Sequence, residues 1–230
     1  MPAAGAGRRF GERTPKQYAP LRGRTVIEWA LAPFLADSRC AGAVVALAGQ
    51  DLWWPKISER ISTVSVAPGG AERSESVRNA LAGLNRRAKQ TDWVLVHDAA
   101  RPCLPTADLD RLIERAGAHP VGGILAQAVA DTLKRQQSGT DEAACIDQTV
   151  SREGLWRAAT PQMFHYSALT EALDKAIAGK RYPTDEAQAL EWQGEHPLLV
   201  EGSTANIKVT TPDDLVLAEA ILAAREGKKK

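Results

Sequence analysis

The chain has few of the residues that make disulfides or metal cages: three cysteines and four histidines. Cys40, Cys103 and Cys145 are odd in number, scattered and without metal-ligand spacing, so they read as reduced thiols of a cytoplasmic protein. His97, His119, His165 and His196 do not cluster, which argues against a zinc site. No apolar run reaches membrane-spanning length and no signal peptide is recognisable, so no membrane is expected as partner. An excess of one charge is lacking too. The 29 basic and 28 acidic residues leave a formal net charge of +1, which gives no reason to expect nucleic acid or an anionic surface as partner. Lys228, Lys229 and Lys230 are too short a run to alter that and read as a solvated tail. There is no internal repeat and no low-complexity segment.

The 230 residues suffice for one sizeable α/β domain or two small ones, and the apolar and charged fractions of 44% and 25% are those of an ordinary globular protein. Apolar runs alternate with amphipathic stretches, the pattern of a mostly parallel sheet covered by helices. Helices are expected over Thr25 to Ala36, Ser74 to Lys89, Thr106 (as N-cap) to Ala116, Ser167 to Ala178 and Thr184 to Gln193. Strands are expected at Gly42 to Ala48, Ser62 to Ala67, Trp93 to Val96, Ile124 to Ala130 and Leu198 to Glu201. The segment from Asp131 to Thr149 is polar, with short β-like pieces around Ser138-Gly139-Thr140. It reads as a projecting hairpin arm or as a disordered loop. Thr211-Pro212-Asp213-Asp214 supplies an N-cap, a first-turn proline and acidic residues ahead of a final helix.

Near the start stands Pro2-Ala3-Ala4-Gly5-Ala6-Gly7-Arg8-Arg9-Phe10-Gly11, followed by Pro15-Lys16-Gln17-Tyr18. Small residues allow close backbone approach, and Arg8, Arg9 and Lys16 add positive charge, which suits a triphosphate. No Gly-Lys-Ser/Thr follows, so it is not a Walker loop, and Phe10 stands where a dinucleotide fingerprint needs its third glycine. In an α/β nucleotide-binding domain such a loop hangs from the carboxyl end of a central strand. Here the loop begins at residue 2. The expectation is that this strand is missing, that the native protein starts several residues upstream, and that Met1 is an internal or misassigned start.

Three further groups carry possible chemistry. Val96-His97-Asp98-Ala99-Ala100-Arg101-Pro102 puts an aspartate at the end of a core strand, where Asp98 reads as a magnesium ligand or a turn residue and Arg101 can face an anion. Gly69-Gly70-Ala71-Glu72-Arg73-Ser74-Glu75-Ser76 reads as a base-recognition turn or as a plain strand-to-helix turn capped by serines. Asp131-Thr132-Leu133-Lys134, Ser151-Arg152, Ala159-Thr160-Pro161-Gln162 and Asn206-Ile207-Lys208-Val209-Thr210 offer hydroxyls and cations for a second phosphate, or surface salt bridges.

Taken in order, PAAGAGRRF, PKQY, GGAERSESV, VHDAARP, DTLK, TPQMF, TDEA and NIKVT resemble the bacterial 2-C-methyl-D-erythritol 4-phosphate cytidylyltransferases of non-mevalonate isoprenoid synthesis. The resemblance runs from Pro2 to the last helix. It implies one Rossmann-like nucleotidyltransferase domain over residues 1–230, with an arm at about 131–150 through which two subunits form a homodimer. It implies magnesium or another divalent cation as cofactor, with CTP and methylerythritol phosphate as small-molecule partners. Carried over by position, Ala3, Ala4, Gly5 and Gly7 would cradle CTP, and Arg9 and Lys16 would be catalytic, contacting the triphosphate and stabilising the transition state. Gly70, Ala71 and Ser76 would recognise cytosine, and Asp98 would bind the metal. Arg101, Thr132, Arg152, Thr160 and Lys208 would bind methylerythritol phosphate, Thr132 and Arg152 serving the partner subunit's site. Ala71 departs from the acidic residue that relatives can carry there, which leaves backbone groups to read the base. Two other readings stand beside this one: a ribitol-5-phosphate cytidylyltransferase, and a catalytically silent nucleotide-binding or dimerisation module.

Overall fold

The computed structural model describes residues 1–5, 14–61, 63–84, 87–137 and 144–227. In chain order the elements are β1 (Pro20–Leu21), β2 (Arg24–Thr25), α1 (Val26–Leu35), β3 (Ala43–Leu47), α2 (Trp54–Ser58), β4 (Val64–Pro68), α3 (Arg73–Leu84), β5 (Trp93–Val96), α4 (Thr106–Gly117), β6 (Gly122–Ala128), β7 (Leu133–Gln136), β8 (Ile146–Val150), β9 (Trp156–His165), α5 (Tyr166–Ala178), α6 (Glu186–Glu191), β10 (Leu198–Glu201) and α7 (Pro212–Gly227). Local chemistry explains the starts. Thr25 N–H donates to Glu28 Oε2 at 2.8 Å ahead of α1, and Gln188 N–H donates to Asp185 Oδ1 at 2.9 Å ahead of α6, each satisfying a first-turn donor or its neighbour. Thr106 is the first residue of α4 rather than its cap. Pro105 holds the cap position without a side-chain bond, because a proline there fixes an extended entry to the helix.

The fold is α/β, with the sheet in two pieces. One has the order β10-β6-β9-β5 and the other pairs β3 with β4 in parallel. Within the larger piece, β10 and β6 are parallel, whereas β9 lies antiparallel between β6 and β5. The sheet is therefore mixed, and β9 is the element that makes it so. Sequence reading misses β9 because Pro161 sits inside it, and proline removes a ladder donor. The structure accommodates Pro161 at a shift in register. Ile124 faces Gln162 and Ala126 faces Ala158, so two steps along β6 span four along β9.

Helices cover both faces. Phe164, Leu169, Leu173 and Leu190 pack beneath α5 and α6 with Val77 and Leu81 of α3. On the other face Leu109, Leu112, Leu125 and Met163 pack under α4. Beside β3 the first residues run in extended form: Pro2 bridges Ala46, Ala46 N–H donates to Met1 O at 2.9 Å, and Ala3 N–H donates to Ala46 O at 2.8 Å. Between β3 and β5, which do not pair, lies a cavity of about 440 Å³. β7 and β8 form an antiparallel hairpin whose side chains are mostly exposed. Among the described residues no helix is long and apolar enough to cross a membrane.

Candidate active site

A second cavity, of about 240 Å³, is bordered by Pro2–Gly5, the turn after β4, the turn after β5, and Lys208. Carboxyl ends of strands are where open α/β sheets hold ligands. The Ala3–Gly5 turn is held from below by Gln17. Its Nε2 donates to Ala3 O at 2.8 Å and reaches Gly5 O at 3.4 Å, and the side chain is buried. Tyr18 is fixed in turn by its hydroxyl, which donates to Asp51 Oδ2 at 2.6 Å. Burial pushes the Tyr18 hydroxyl well above its ordinary pKa, so it stays protonated. Among the described residues a Cβ on Gly5 would meet nothing within 4 Å.

The opposite wall is the Gly69-Gly70-Ala71 turn. A Cβ on Gly69 would stand 2.3 Å from Ala4 Cβ, and one on Gly70 would stand 2.2 Å from Glu75 Cβ. Both glycines are demanded by close approach. Ser76 Oγ accepts the Gly70 N–H at 3.0 Å and donates to Glu72 O at 3.2 Å. Its hydroxyl therefore shapes the turn.

The floor is Asp98. Arg73 Nη2 lies 3.1 Å from Asp98 Oδ1, Lys208 Nζ lies 2.8 Å from Oδ2, and Arg101 Nε lies 3.7 Å from Oδ2. Arg73 Nη1 also pairs with the buried Glu186 at 2.6 Å. Three cations thus face two carboxylates. Despite its burial, the Asp98 carboxyl is held far below the usual range by Arg73, Lys208 and Arg101, whereas burial pushes Glu186 upward. Behind Asp98 runs a polar chain. Asp98 N–H donates to Thr160 Oγ1 at 3.0 Å, Thr160 Oγ1 lies 3.0 Å from His97 Nδ1, and His97 Nε2 lies 3.1 Å from Arg101 O. A carbonyl only accepts, so Nε2 carries the hydrogen and the Thr160 hydroxyl donates to Nδ1. Burial lowers the His97 pKa to about 4, which keeps the ring neutral. Asn206 Nδ2 donates to Thr160 O and Arg101 Nη1 to Asn206 O, both at 2.8 Å. Arg101 Nε and Asn206 Oδ1 are buried without hydrogen-bond partners among the described residues.

Residues 1–224 match the family model of 2-C-methyl-D-erythritol 4-phosphate cytidylyltransferase. The chain belongs to that family. It is 46% identical over 231 residues to the cytidylyltransferase of Vibrio vulnificus strain YJ016, covering 100% of this chain and 95% of that protein. It is 52% identical over 227 residues to that of Laribacter hongkongensis, covering 96% and 94%. Among solved structures, a 4-diphosphocytidyl-2C-methyl-D-erythritol synthase superposes with a TM-score of 0.81 at 42% identity, over 90% of this chain and 94% of that one. The Francisella tularensis 2-C-methyl-D-erythritol 4-phosphate cytidylyltransferase gives 0.80 at 35%, covering 96% of each. As a methylerythritol phosphate cytidylyltransferase, the protein transfers a cytidylyl group from CTP to 2-C-methyl-D-erythritol 4-phosphate, giving 4-diphosphocytidyl-2-C-methyl-D-erythritol and pyrophosphate.

The residues that the sequence names as this cytidylyltransferase's site meet in large part. Ala3, Ala4, Gly5, Lys16, Gly70, Ala71, Ser76, Asp98 and Lys208 all border the one cavity, and Arg101 and Thr160 join it through Asp98. Thr132 and Arg152 do not border it. They stand exposed at the base of the β7–β8 hairpin, where Arg152 donates to Ala130 O. Gly7 and Arg9 lie outside the described residues. The sequence assigns no role to Gln17, Arg73, Glu186 or Asn206, although all four stand inside the motifs that carry the resemblance. Charged residues of opposite sign in motifs so far apart (Arg73 and Glu186) were the available signal.

Among the described residues no three His, Cys, Asp or Glu side chains group as a metal cage. Magnesium needs none when one carboxylate and substrate phosphates share it. Asp98 is ionised, and Lys208, the most exposed of its three partners, can leave Oδ2 for an incoming phosphate. The residues fit a divalent ion that arrives with the nucleotide.

Proposed function

We propose that CTP lies over Ala3, Ala4 and Gly5, with its base against Gly70, Ala71 and the turn that Ser76 shapes, and that the acceptor phosphate sits against Arg101, Thr160 and Lys208. The observation that carries this reading is the gathering of Arg73, Arg101 and Lys208 on Asp98 in a cavity bordered by Ala3, Ala4 and Gly5. A surplus of positive charge suits a second phosphate, and Arg101 Nε and Asn206 Oδ1, without hydrogen-bond partners among the described residues, offer it a donor and its polyol an acceptor. An oxygen of the acceptor phosphate attacks the CTP α-phosphorus, the bond from that phosphorus to the bridging oxygen breaks, and pyrophosphate leaves. The acceptor is already anionic near neutral pH, so no strong base is needed. Lys16 and Arg9 stabilise the charge that grows on the transferring and leaving phosphates. Magnesium, held by Asp98 and the nucleotide phosphates, would neutralise part of that charge.

The β7–β8 hairpin is the arm of a cytoplasmic homodimer and carries Thr132 and Arg152 to the partner subunit's site. Support comes from its exposure, with Ile146 60% exposed, since an isolated two-stranded hairpin is marginally stable in water. Replacing Ile146 with Asp is expected to shift sedimentation from dimer toward monomer. Pyrophosphate release from CTP and magnesium tests the acceptor assignment. Turnover with methylerythritol phosphate and none with ribitol 5-phosphate is expected. Turnover with ribitol 5-phosphate alone would overturn the acceptor side of the site, and CTP binding without turnover on either would mark a silent module.

A further inference from the structure

Gln17 has no part in the chemistry above, yet its side chain is buried and contacts backbone fourteen and twelve residues away. One nitrogen, Nε2, faces both Ala3 O at 2.8 Å and Gly5 O at 3.4 Å. A primary amide is the neutral group that offers two N–H donors from a single atom. Ala3 is pinned at its other end too, where its N–H donates to Ala46 O of β3 at 2.8 Å. A peptide unit is planar and trans, so the bond that fixes Ala3 O also fixes the Ala4 N–H, on the opposite side of the plane. Gln17 is itself held. It stands in a short 3₁₀ turn, Lys16–Tyr18, closed by Tyr18 N–H on Pro15 O at 2.8 Å and by Ala19 N–H on Lys16 O at 3.2 Å. Beyond the Tyr18 hydroxyl, Asp51 Oδ1 accepts the N–H groups of Trp53 and Trp54 at 3.0 and 2.9 Å, at the start of α2. The Tyr18 ring stacks on Trp53 with centroids 5.8 Å apart. The turn that carries Lys16 is thus anchored to α2 on one side and, through Gln17, to the Ala3–Gly5 turn on the other.

We propose that Gln17 is a positioning residue, which holds the Ala3–Gly5 backbone and Lys16 in one fixed relation, so that a single amide registers the nucleotide against the cation that serves it. This rests on CTP lying over Ala3, Ala4 and Gly5. Two consequences separate the role from general support of the fold. Without Nε2 the Ala3 carbonyl loses its side-chain donor in a buried place, and the turn regains one only by moving toward water. Lys16 precedes Gln17 directly in the same turn, so a Gln17 that no longer binds the carbonyls releases Lys16 from its placement as well. Nucleotide binding and turnover therefore suffer together, while the acceptor side around Arg101 and Lys208 does not.

The test uses the whole chain as wild type, Gln17→Met, Lys16→Ala, the double variant and Gly5→Val. Calorimetric titration with CTP and steady-state kinetics with CTP, magnesium and methylerythritol phosphate are read on each, together with Tm. Gln17→Met keeps the length of the side chain and removes both donors. It is expected to raise the Kd and KM for CTP about tenfold and to lower kcat roughly ten- to hundred-fold, with the acceptor KM unchanged. In the Lys16→Ala background its effect on kcat is expected to vanish, because residues that act as one unit are not additive. Lost stability alone would lower Tm and the active fraction but move neither KM. Wild-type affinity for CTP in Gln17→Met, or a kcat loss that is the same with and without Lys16, overturns the proposal. Gly5→Val, which adds bulk to the turn and leaves Gln17 in place, is expected to weaken CTP binding. Unchanged affinity in that variant would overturn the placement of CTP and the proposal with it, whereas unchanged affinity in Gln17→Met alone overturns only the proposal. Should Gln17→Met fail to fold, Gln17→Glu, which keeps length and polarity but sets oxygens against both carbonyls, decides by the same readouts.

Discussion

Arg73 is the residue whose removal reports most directly on how the site is built. Its guanidinium spans Glu186 at 2.6 Å and Asp98 at 3.1 Å, and the Glu186 side chain is 1% exposed. Asp98 keeps Lys208 and Arg101 when Arg73 is lost, but no other ion pair to Glu186 is described. Arg73→Met therefore strands one buried carboxylate, a change that costs about 3–5 kcal/mol. The lower end is expected because Arg73 is itself 27% exposed. Glu186→Gln added to Arg73→Met removes the stranded charge and is expected to recover most of the loss. Urea denaturation of wild type, both single variants and the double variant measures the coupling. The pH dependence has a definite sign. Glu186 is already pushed above its ordinary pKa, and without Arg73 it moves higher. The stability that comes from binding this proton is present below the unfolded value and is lost as pH rises through the folded one. The Arg73→Met deficit should therefore be smaller near pH 5 than near pH 8. Equal instability of the single and double variants, or a deficit that does not change with pH, would refute the reasoning.

Other outcomes follow from the same geometry. Lys16→Ala is expected to lower kcat by roughly a hundred- to thousand-fold with the fold retained; steady-state kinetics showing less than about a tenfold drop would remove Lys16 from the transition state. The His97 ring, at about 4 when folded against the ordinary 6.5, resists protonation in the native state, so it costs stability as pH falls from about 6.5 toward 4 and nothing above. That difference amounts to on the order of 3 kcal/mol, and NMR titration of the ring should find its midpoint near the lower value. Gly70→Ala places a Cβ 2.2 Å from Glu75 Cβ, which should displace the turn and raise the KM for CTP, a loss that isothermal titration with CTP would detect independently.

The sequence makes legible whatever depends on local pattern. Trp93–Val96 and Leu198–Glu201 emerge as strands with the bounds expected of them, because short apolar runs between polar turns admit little else. β9 does not, since Pro161 argues against a central strand until the register step opposite Ile124 and Ala126 is seen. Of the residues that border the cavity, Gly5, Gly70 and Ser76 are singled out by motif, and Lys16, Asp98 and Lys208 by their charge within motifs. Gln17 and Glu186 are missed for one physical reason: each acts on a partner distant in sequence, Ala3 O in one case and Arg73 in the other. Ser76 borders the cavity, and its hydroxyl accepts the Gly70 N–H.

If the acceptor phosphate sits where it is proposed to, the crowding of Arg73, Arg101 and Lys208 around Asp98 would make that carboxylate a resident stand-in for substrate charge. In the resting protein it keeps three mutually repelling cations in place, so the field an incoming phosphate needs exists before the phosphate arrives. The three differ in how readily they change allegiance. Arg101 is 13% exposed and tethered to Asn206 O, whereas Lys208 is 40% exposed and held by its ammonium alone. A phosphate can take Lys208 over from Asp98 while Arg101 barely moves. Recognition at the proposed acceptor site would then be an exchange of one anion for another. An uncharged polyol, with nothing to exchange, would leave the resting arrangement closed against it.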